Sequence, residues 1–265
     1  MRASILIPLY QAQNFYRQAI DCALGQTHTD CEVVVVIDDD DHYELPNNVI
    51  QVRTGRQGSG PNAARNAGLV WCSGHVIVPL DADDWMHPTR VEKLIPLVKS
   101  FGVAGCSEIT RNLDSGEIER QVFAESAEVR TLTPRQYLDL NATIHLAFRR
   151  DVITRWPESV ALAGDTLFNL DAIERAGSLA IHPETLFEYR THNASHCHRP
   201  GSIERAEAGY QEILRLIEAG SIARHPELKS FAHALFEQKR QTNLNYGAYV
   251  ATQGPCSFDH YLESL

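Results

Sequence analysis

The run "CEVVVVIDDDD" at residues 31–41 limits the fold more than any other stretch of the chain. Consecutive valines followed by Ile37 ask for burial on both faces, as a strand inside a parallel sheet provides. The acids that follow cannot be buried without partners. The strand must therefore end at an edge where Asp38 to Asp41 meet water, a ligand or a cation. The same arrangement recurs in "HVIVPLDADDWMHP" at residues 75–88, where Val76, Ile77, Val78 and Leu80 are buriable and Asp81, Asp83 and Asp84 follow.

The rest of the first hundred residues alternates in kind. Residues 3–9 read as a buried strand with Pro8 near its end. Residues 14–26 carry a helical pattern through Phe15, Ala19, Cys22 and Ala23. Residues 48–53 form a third short strand. The Gly-rich turn opening residues 56–74 leads into a helix that stops near Ser73-Gly74, and another helix runs from Pro88 to about Ser100. Strands alternating with helices predict a mostly parallel sheet flanked by helices. In such sheets ligands bind beyond the carboxyl ends of the strands, where both acidic clusters fall.

Further on, the pattern predicts a hairpin around Asp114-Ser115-Gly116, a strand within 142–153, a helix over 163–177 and an extended segment ending in "YRTH". Two helical stretches follow, at 202–219 and 227–251. Pro200-Gly201 is the expected boundary between an α/β body, 1–200, and a helical C-terminal extension, 201–265.

Thirty-four acids against 24 Lys plus Arg give a formal net charge of -10, which argues against a nucleic-acid partner. The six cysteines form no CxxC pair, as expected of free thiols in a reduced cytoplasm. The opening residues read as a strand and lack a signal-peptide pattern. No apolar run is long enough to span a membrane, so the expected location is cytoplasmic. The mixed apolar and basic tail could rest on a membrane surface or form a homo-oligomer, and an ordinary packed helix explains it equally well.

Four places could carry chemistry. Asp81 and Asp83, two residues apart at a strand end, suit a hard divalent cation such as Mg²⁺ or Mn²⁺; the alternative is a solvated turn with Asp84 capping the next helix. Asp38, next to the buried strand, can accept hydrogen bonds from a base or ribose. Asp165 is either a helix N-cap or a general base aimed at an incoming hydroxyl. The spacing of His192, His196, Cys197 and His198 matches no regular zinc motif.

Taken together, "SILIPLYQAQNFYRQAIDCALGQTHTDCEVVVV", "GPNAARNAGLVWCSGHVIVPLDADD", "GDTLF" and "YRTHNAS" resemble, in order, the segments of glycosyltransferase family 2, over about residues 3 to 195. The resemblance implies a GT-A, Rossmann-like fold and an inverting, metal-dependent transferase. Its donor would be a nucleotide-sugar, UDP-sugar first, and its acceptor a carbohydrate or lipid-linked hydroxyl. By position, Pro8 and Tyr10 would line the nucleotide pocket, with Asp38 at the base and Arg65 nearby. Asp81 would face the ribose or metal. Asp83 of the DXD motif would ligate Mn²⁺ or Mg²⁺, with His192 approaching the metal or diphosphate. Asp165 would be the base. Three departures stand out. The family's D-D-G-S is Ile37-Asp38-Asp39-Asp40 here, Gln11 replaces the usual Asn, and Gly164 replaces the acid before Asp165.

Two rivals carry different expectations. A nucleotidyltransferase would need a basic loop after the first strand, and "PLYQAQNF" has none. A catalytically silent relative would bind nucleotide or carbohydrate without transfer. The altered acidic run favours it, and intact Asp83, Asp165 and His192 oppose it.

Overall fold

A computed structural model describes residues 1–124, 126–160, 162–192, 201–254 and 261. The strands are β1 (Ala3–Leu9), β2 (Cys31–Ile37), β3 (Val49–Arg53), β4 (Val76–Pro79), β5 (Trp85–Met86), β6 (Val103–Asn112), β7 (Ile118–Gln121), β8 (Arg130–Leu132), β9 (Ala147–Arg149) and β10 (Leu179–Thr191). The helices are α1 (Tyr16–Leu24), α2 (Pro61–Leu69), α3 (Arg90–Phe101), α4 (Pro134–Asp139), α5 (Gly164–Ala176), α6 (Ser202–Glu218) and α7 (Pro226–Gln253).

One sheet runs in the order β3-β2-β1-β4-β9-β6-β10-β5, with β7 beside β6 and β8 beside β10. β3, β2, β1 and β4 are mutually parallel. β9 lies antiparallel between β4 and β6, so β6 and its parallel neighbour β10 point the same way as the first four. The carboxyl ends of β1, β2 and β4 therefore share one edge.

The valine run is fully used. Val33 to Val36 are at most 2% exposed, because alternate side chains enter two separate cores on the two faces. The strand ends at Ile37, earlier than the sequence run suggests, because Asp38 and Asp39 turn away to partners of their own. The expected strand within 142–153 shrinks to Ala147–Arg149. The hairpin around Asp114 to Gly116 forms between β6 and β7.

Two side chains brace the edge from behind. Gln26 Nε2 donates to the carbonyls of Cys22 and His87 at 3.1 and 3.0 Å, and its Oε1 accepts from Val91 N–H, so α1 is tied to the start of α3. Glu32 accepts from Ser73 N–H, Ser73 Oγ and Gly74 N–H, fixing the turn before β4. The C-terminal helices share the body's core: Ile213, Ile217, Ala232 and Phe236 cluster with Leu167 and Phe168. Among the described residues, no helix is long and apolar enough to cross a membrane, and Cys22, Cys31, Cys72 and Cys106 are free thiols.

Helix α2 lies close on β1 and β2 because Gly68 has no Cβ. A Cβ there would stand 2.4 Å from both Leu6 Cδ1 and Val36 Cγ2. Gly68→Ala is expected to cost about 1–3 kcal/mol from overpacking, despite alanine's better helix propensity. Urea unfolding of the variant checks this, and an unchanged midpoint would refute it.

Candidate active site

The edge is open where it matters. β4 pairs with β1 only as far as Leu6↔Pro79, while β1 continues through Pro8 and Leu9. Pro8 therefore sits beyond the end of one neighbour, where a missing N–H is tolerated. Tyr10 is exposed, and its ring lies against Gly58 in the loop before α2. Gln11 takes a left-handed backbone, φ 52°, and donates its N–H to Asp39 Oδ2 at 2.6 Å. Asn adopts that region more readily than Gln does, which gives the usual residue at this position a physical reason.

The acidic run divides in two. Asp40 and Asp41 are exposed, but Asp38 and Asp39 are 2% and 6% exposed. Asp38 Oδ1 accepts from Thr54 Oγ1 at 2.7 Å and from Ser59 Oγ, and Oδ2 accepts from Gly60 N–H at 3.0 Å. Asp39 Oδ2 also accepts from Tyr43 Oη at 2.8 Å. The first acid thus holds the 54–60 loop, and the second holds the turn after β1.

On the β4 side, Arg65 of α2 is nearly buried and donates from Nη2 to Asp81 Oδ1 at 2.5 Å. Burial alone would raise the Asp81 carboxyl; Arg65 and the more distant His145 outweigh it and hold Asp81 below its usual range. Asp83 is pushed the other way, by burial and then by the charge of Asp81. His192 Nε2 lies 3.1 Å from Asp83 Oδ2, with its ring stacked on Phe15 at 4.5 Å. His196, Cys197 and His198 lie outside the described residues. Among the described residues, no three His, Cys, Asp or Glu side chains converge as a metal cage. The donors on offer are the Asp83 and His192 pair with Asp81 beside it. That set suits a cation that takes its other ligands from phosphate and water, as Mg²⁺ and Mn²⁺ do.

Asp84 does not cap the following helix, whose N-cap is Thr89. It is buried and accepts Arg190 N–H at 2.9 Å, because a strand edge left by β10 points a free amide at it. Its Oδ2 stands 3.6 Å from His145 Nε2. His145 Nδ1 in turn faces Glu108 Oε1 at 3.3 Å, and its ring stacks on Phe187 at 4.2 Å. Burial would depress this imidazole, but Glu108, then Asp84 and Asp81, push it up to about 9. Burial, then Asp83 and Asp81, push Asp84 well above the carboxylate range against the pull of His145.

Asp165 is likewise not an N-cap. That position is Ala163, at φ 62°, with no side-chain cap. Asp165 occupies the first turn of α5 and accepts Thr166 N–H at 2.8 Å. A small cavity brings together Arg65, Asp81, His145, Asp165 and Asn169. The site therefore joins three of the eight predicted residues, Arg65, Asp81 and Asp165, in that cavity. Asp83 with His192, and Asp38 with Tyr10, stand along the same edge. His145 and Glu108 were not anticipated. The signal was one histidine inside the apolar run "ATIHLAF".

The sequence model of glycosyl transferase family 2 matches residues 4–155. An uncharacterized glycosyltransferase of Escherichia coli, YibD, is 26% identical over 82% of this chain and 70% of its own. The succinoglycan biosynthesis protein ExoO of Rhizobium meliloti is 24% identical over 97% and 83%. Among solved structures, Staphylococcus aureus TarS residues 1–349 in complex with UDP superposes with a TM-score of 0.68 at 16% identity, over 95% of this chain and 75% of that one. The mannosyltransferase PcManGT of Pyrobaculum calidifontis, in complex with GDP-Man and Mn²⁺, superposes at 0.60 with 14% identity, over 99% and 79%.

The imidazolium of His145 makes a pH prediction. Its folded pKa, about 9, exceeds the ordinary value of about 6.5, so its stabilisation is whole below that ordinary value and is lost as pH rises through about 9. The stability gap between wild type and His145→Gln, read from urea midpoints, should narrow across that window. A gap that stays constant would show that the ring is not held protonated.

Proposed function

The chain belongs to glycosyl transferase family 2, a glycosyltransferase on the GT-A fold, and from that membership we propose an inverting transfer from a nucleotide-diphospho-sugar, UDP-sugar first, to an acceptor hydroxyl. The observation that carries the proposal is the shared cavity of Arg65, Asp81 and Asp165 at the carboxyl edge of the parallel strands. It unites a carboxylate fixed by an arginine with a second carboxylate on another element, as a donor site facing a base requires.

Each residue has a task. Tyr10 and Pro8 flank the nucleotide. Asp38 has accepted three hydrogen bonds from the 54–60 loop, which leaves one acceptor position on Oδ2 for a base N–H. Arg65 keeps Asp81 ionised towards the ribose. Asp83 and His192 would hold Mn²⁺ or Mg²⁺, which supplies charge to offset the departing diphosphate. Asp165, lodged in the first turn of α5 where the helix dipole favours a carboxylate, takes the proton of the acceptor hydroxyl. A single base suffices for in-line displacement with inversion, because the leaving group needs no proton. Complexes of the structural neighbours with UDP and with GDP-Man and Mn²⁺ support a nucleotide donor and a divalent cation.

Thermal melting with UDP, GDP, CDP and dTDP, each with Mn²⁺ and with chelator, tests the donor site. One nucleotide should raise the melting point in metal only, since a ligand of the folded state alone must stabilise it. Asp83→Ala should abolish the metal-dependent part. Equal shifts with and without metal would remove the metal assignment. Asp165→Asn should reduce turnover by about 10²–10⁴-fold while preserving the nucleotide shift. Turnover at the wild-type rate would exclude Asp165 as the base.

A further inference from the structure

Glycine is an unfavourable choice inside a helix, and Gly164 is the first residue of α5. Backbone freedom does not explain it. The left-handed residue at this helix start is Ala163, while Gly164 has no positive φ. Glycine stands beside the position whose backbone would welcome it. Space explains it instead. A Cβ on Gly164 would lie 2.2 Å from Asn62 Nδ2, 3.1 Å from Asn62 Cγ and 3.3 Å from Oδ1.

The Asn62 amide is not a free end that could swing aside. It is 8% exposed. Its Nδ2 donates to the carbonyls of Pro157 at 2.9 Å and Val160 at 3.2 Å, both in the segment that leads into α5. Its Oδ1 accepts from Arg65 Nη1 at 3.4 Å, and Arg65 Nη2 reaches Asp81. One turn further along α2, Asn66 exchanges hydrogen bonds with both backbone groups of Trp156, at 2.8 and 2.9 Å. One face of α2 thus grips the segment before α5 and, through Arg65, the carboxylate after β4.

We infer that Asn62 is a positioning residue for transfer: its amide, seated against the bare Cα of Gly164, sets the first turn of α5 and so the place of Asp165 relative to the Arg65–Asp81 pair. This rests on the reading of Asp165 as base. The acid that the family carries before that base would need the volume that the Asn62 amide fills, so Asn62 and Gly164 form one coupled choice.

The test is a cycle of Gly164→Ala, Asn62→Ala and the double variant, with Asp165→Asn as reference. Turnover is read as nucleoside diphosphate released by hydrolysis of UDP-GlcNAc or GDP-mannose in Mn²⁺, whichever the wild type hydrolyses. Melting curves and the nucleotide shift are read alongside. A displacement of the base by an ångström costs up to about 10²-fold. Gly164→Ala is therefore expected to lose about tenfold or more in kcat, with donor KM and the nucleotide shift retained. The double variant should be several-fold more active than Gly164→Ala, because removing the amide makes room for the new methyl. Should Gly164→Ala fail to fold, Asn62→Ala decides, by a fall in kcat at unchanged donor KM. Wild-type kcat in Gly164→Ala, no recovery in the double variant, or equal losses in kcat and nucleotide binding would overturn the inference. Inactive Asp165→Asn beside a fully active Gly164→Ala would overturn it alone. Active Asp165→Asn would overturn the base reading and this inference together.

Discussion

A carboxylate buried in protein must be hydrogen-bonded or ion-paired, or else neutralised, and five acids crowd the carboxyl edge of this sheet, Asp38, Asp39 and Asp84 buried and Asp81 and Asp83 part-buried. The way each is satisfied sorts them by what they remain able to do. Asp39 is used up by the backbone of Gln11 and by Tyr43, so it is part of the frame. Asp84 is sealed beneath the surface against Arg190 N–H and His145. Asp38 retains a single acceptor position, and Asp81 is half-exposed with one oxygen on Arg65. Asp83 has the weakest settlement, an imidazole on one side and the repulsion of Asp81 on the other. Capacity to bind therefore rises from the floor of the edge towards its rim, where a diphosphate and its cation would lie.

Helix α2 converts that local pairing into a single rigid object. Gly68 lets it sit directly on β1 and β2, so its buried face is fixed against the strands that bear the acids. Its polar residues then reach outward in two directions. Arg65 fixes the end of β4, while Asn62 and Asn66 fix residues 156–160 and, through them, the start of α5. Without such a tie, the Arg65–Asp81 pair and Asp165 would sit on elements far apart in sequence, with only loops to hold their spacing.

The alternation of strands and helices, the mostly parallel sheet and the acids at its edge were legible because their signals are local. Burial on both faces demands an unbroken apolar run, and the edge shows itself as a change from valine to aspartate between neighbouring residues. Helix starts were less legible. Asp84 and Asp165 both have the right residue type for a cap, yet the caps are Thr89 and Ala163, since Asp84 has a tertiary partner in Arg190 N–H and Asp165 already lies inside its helix, a placement that residue preference does not record. The Asp84–His145–Glu108 cluster could not be read at all. Its members come from three separate stretches, and only the placement of β9 between β4 and β6 brings them together.

The departures from the family pattern then become mutually consistent. Where the family has glycine after its paired acids, Asp39 stands here beside Asp38, and this added buried carboxylate needs donors. The Gln11 amide, presented by a left-handed backbone, and the Tyr43 hydroxyl supply them. Where the family has an acid before the base, Gly164 stands here, and the vacated volume is occupied by the amide of Asn62. In each case one altered residue is matched by partners within hydrogen-bond or van der Waals reach in space, Gln11 and Tyr43 for Asp39 and Asn62 for Gly164. A chain losing its function would be expected to lose such partners independently, each unmatched acid raising its own desolvation cost. Here the partners are in place, Asp39 holding donors and the space beside Gly164 filled, which weighs against the silent-relative reading and for an enzyme whose site is built by a different set of contacts.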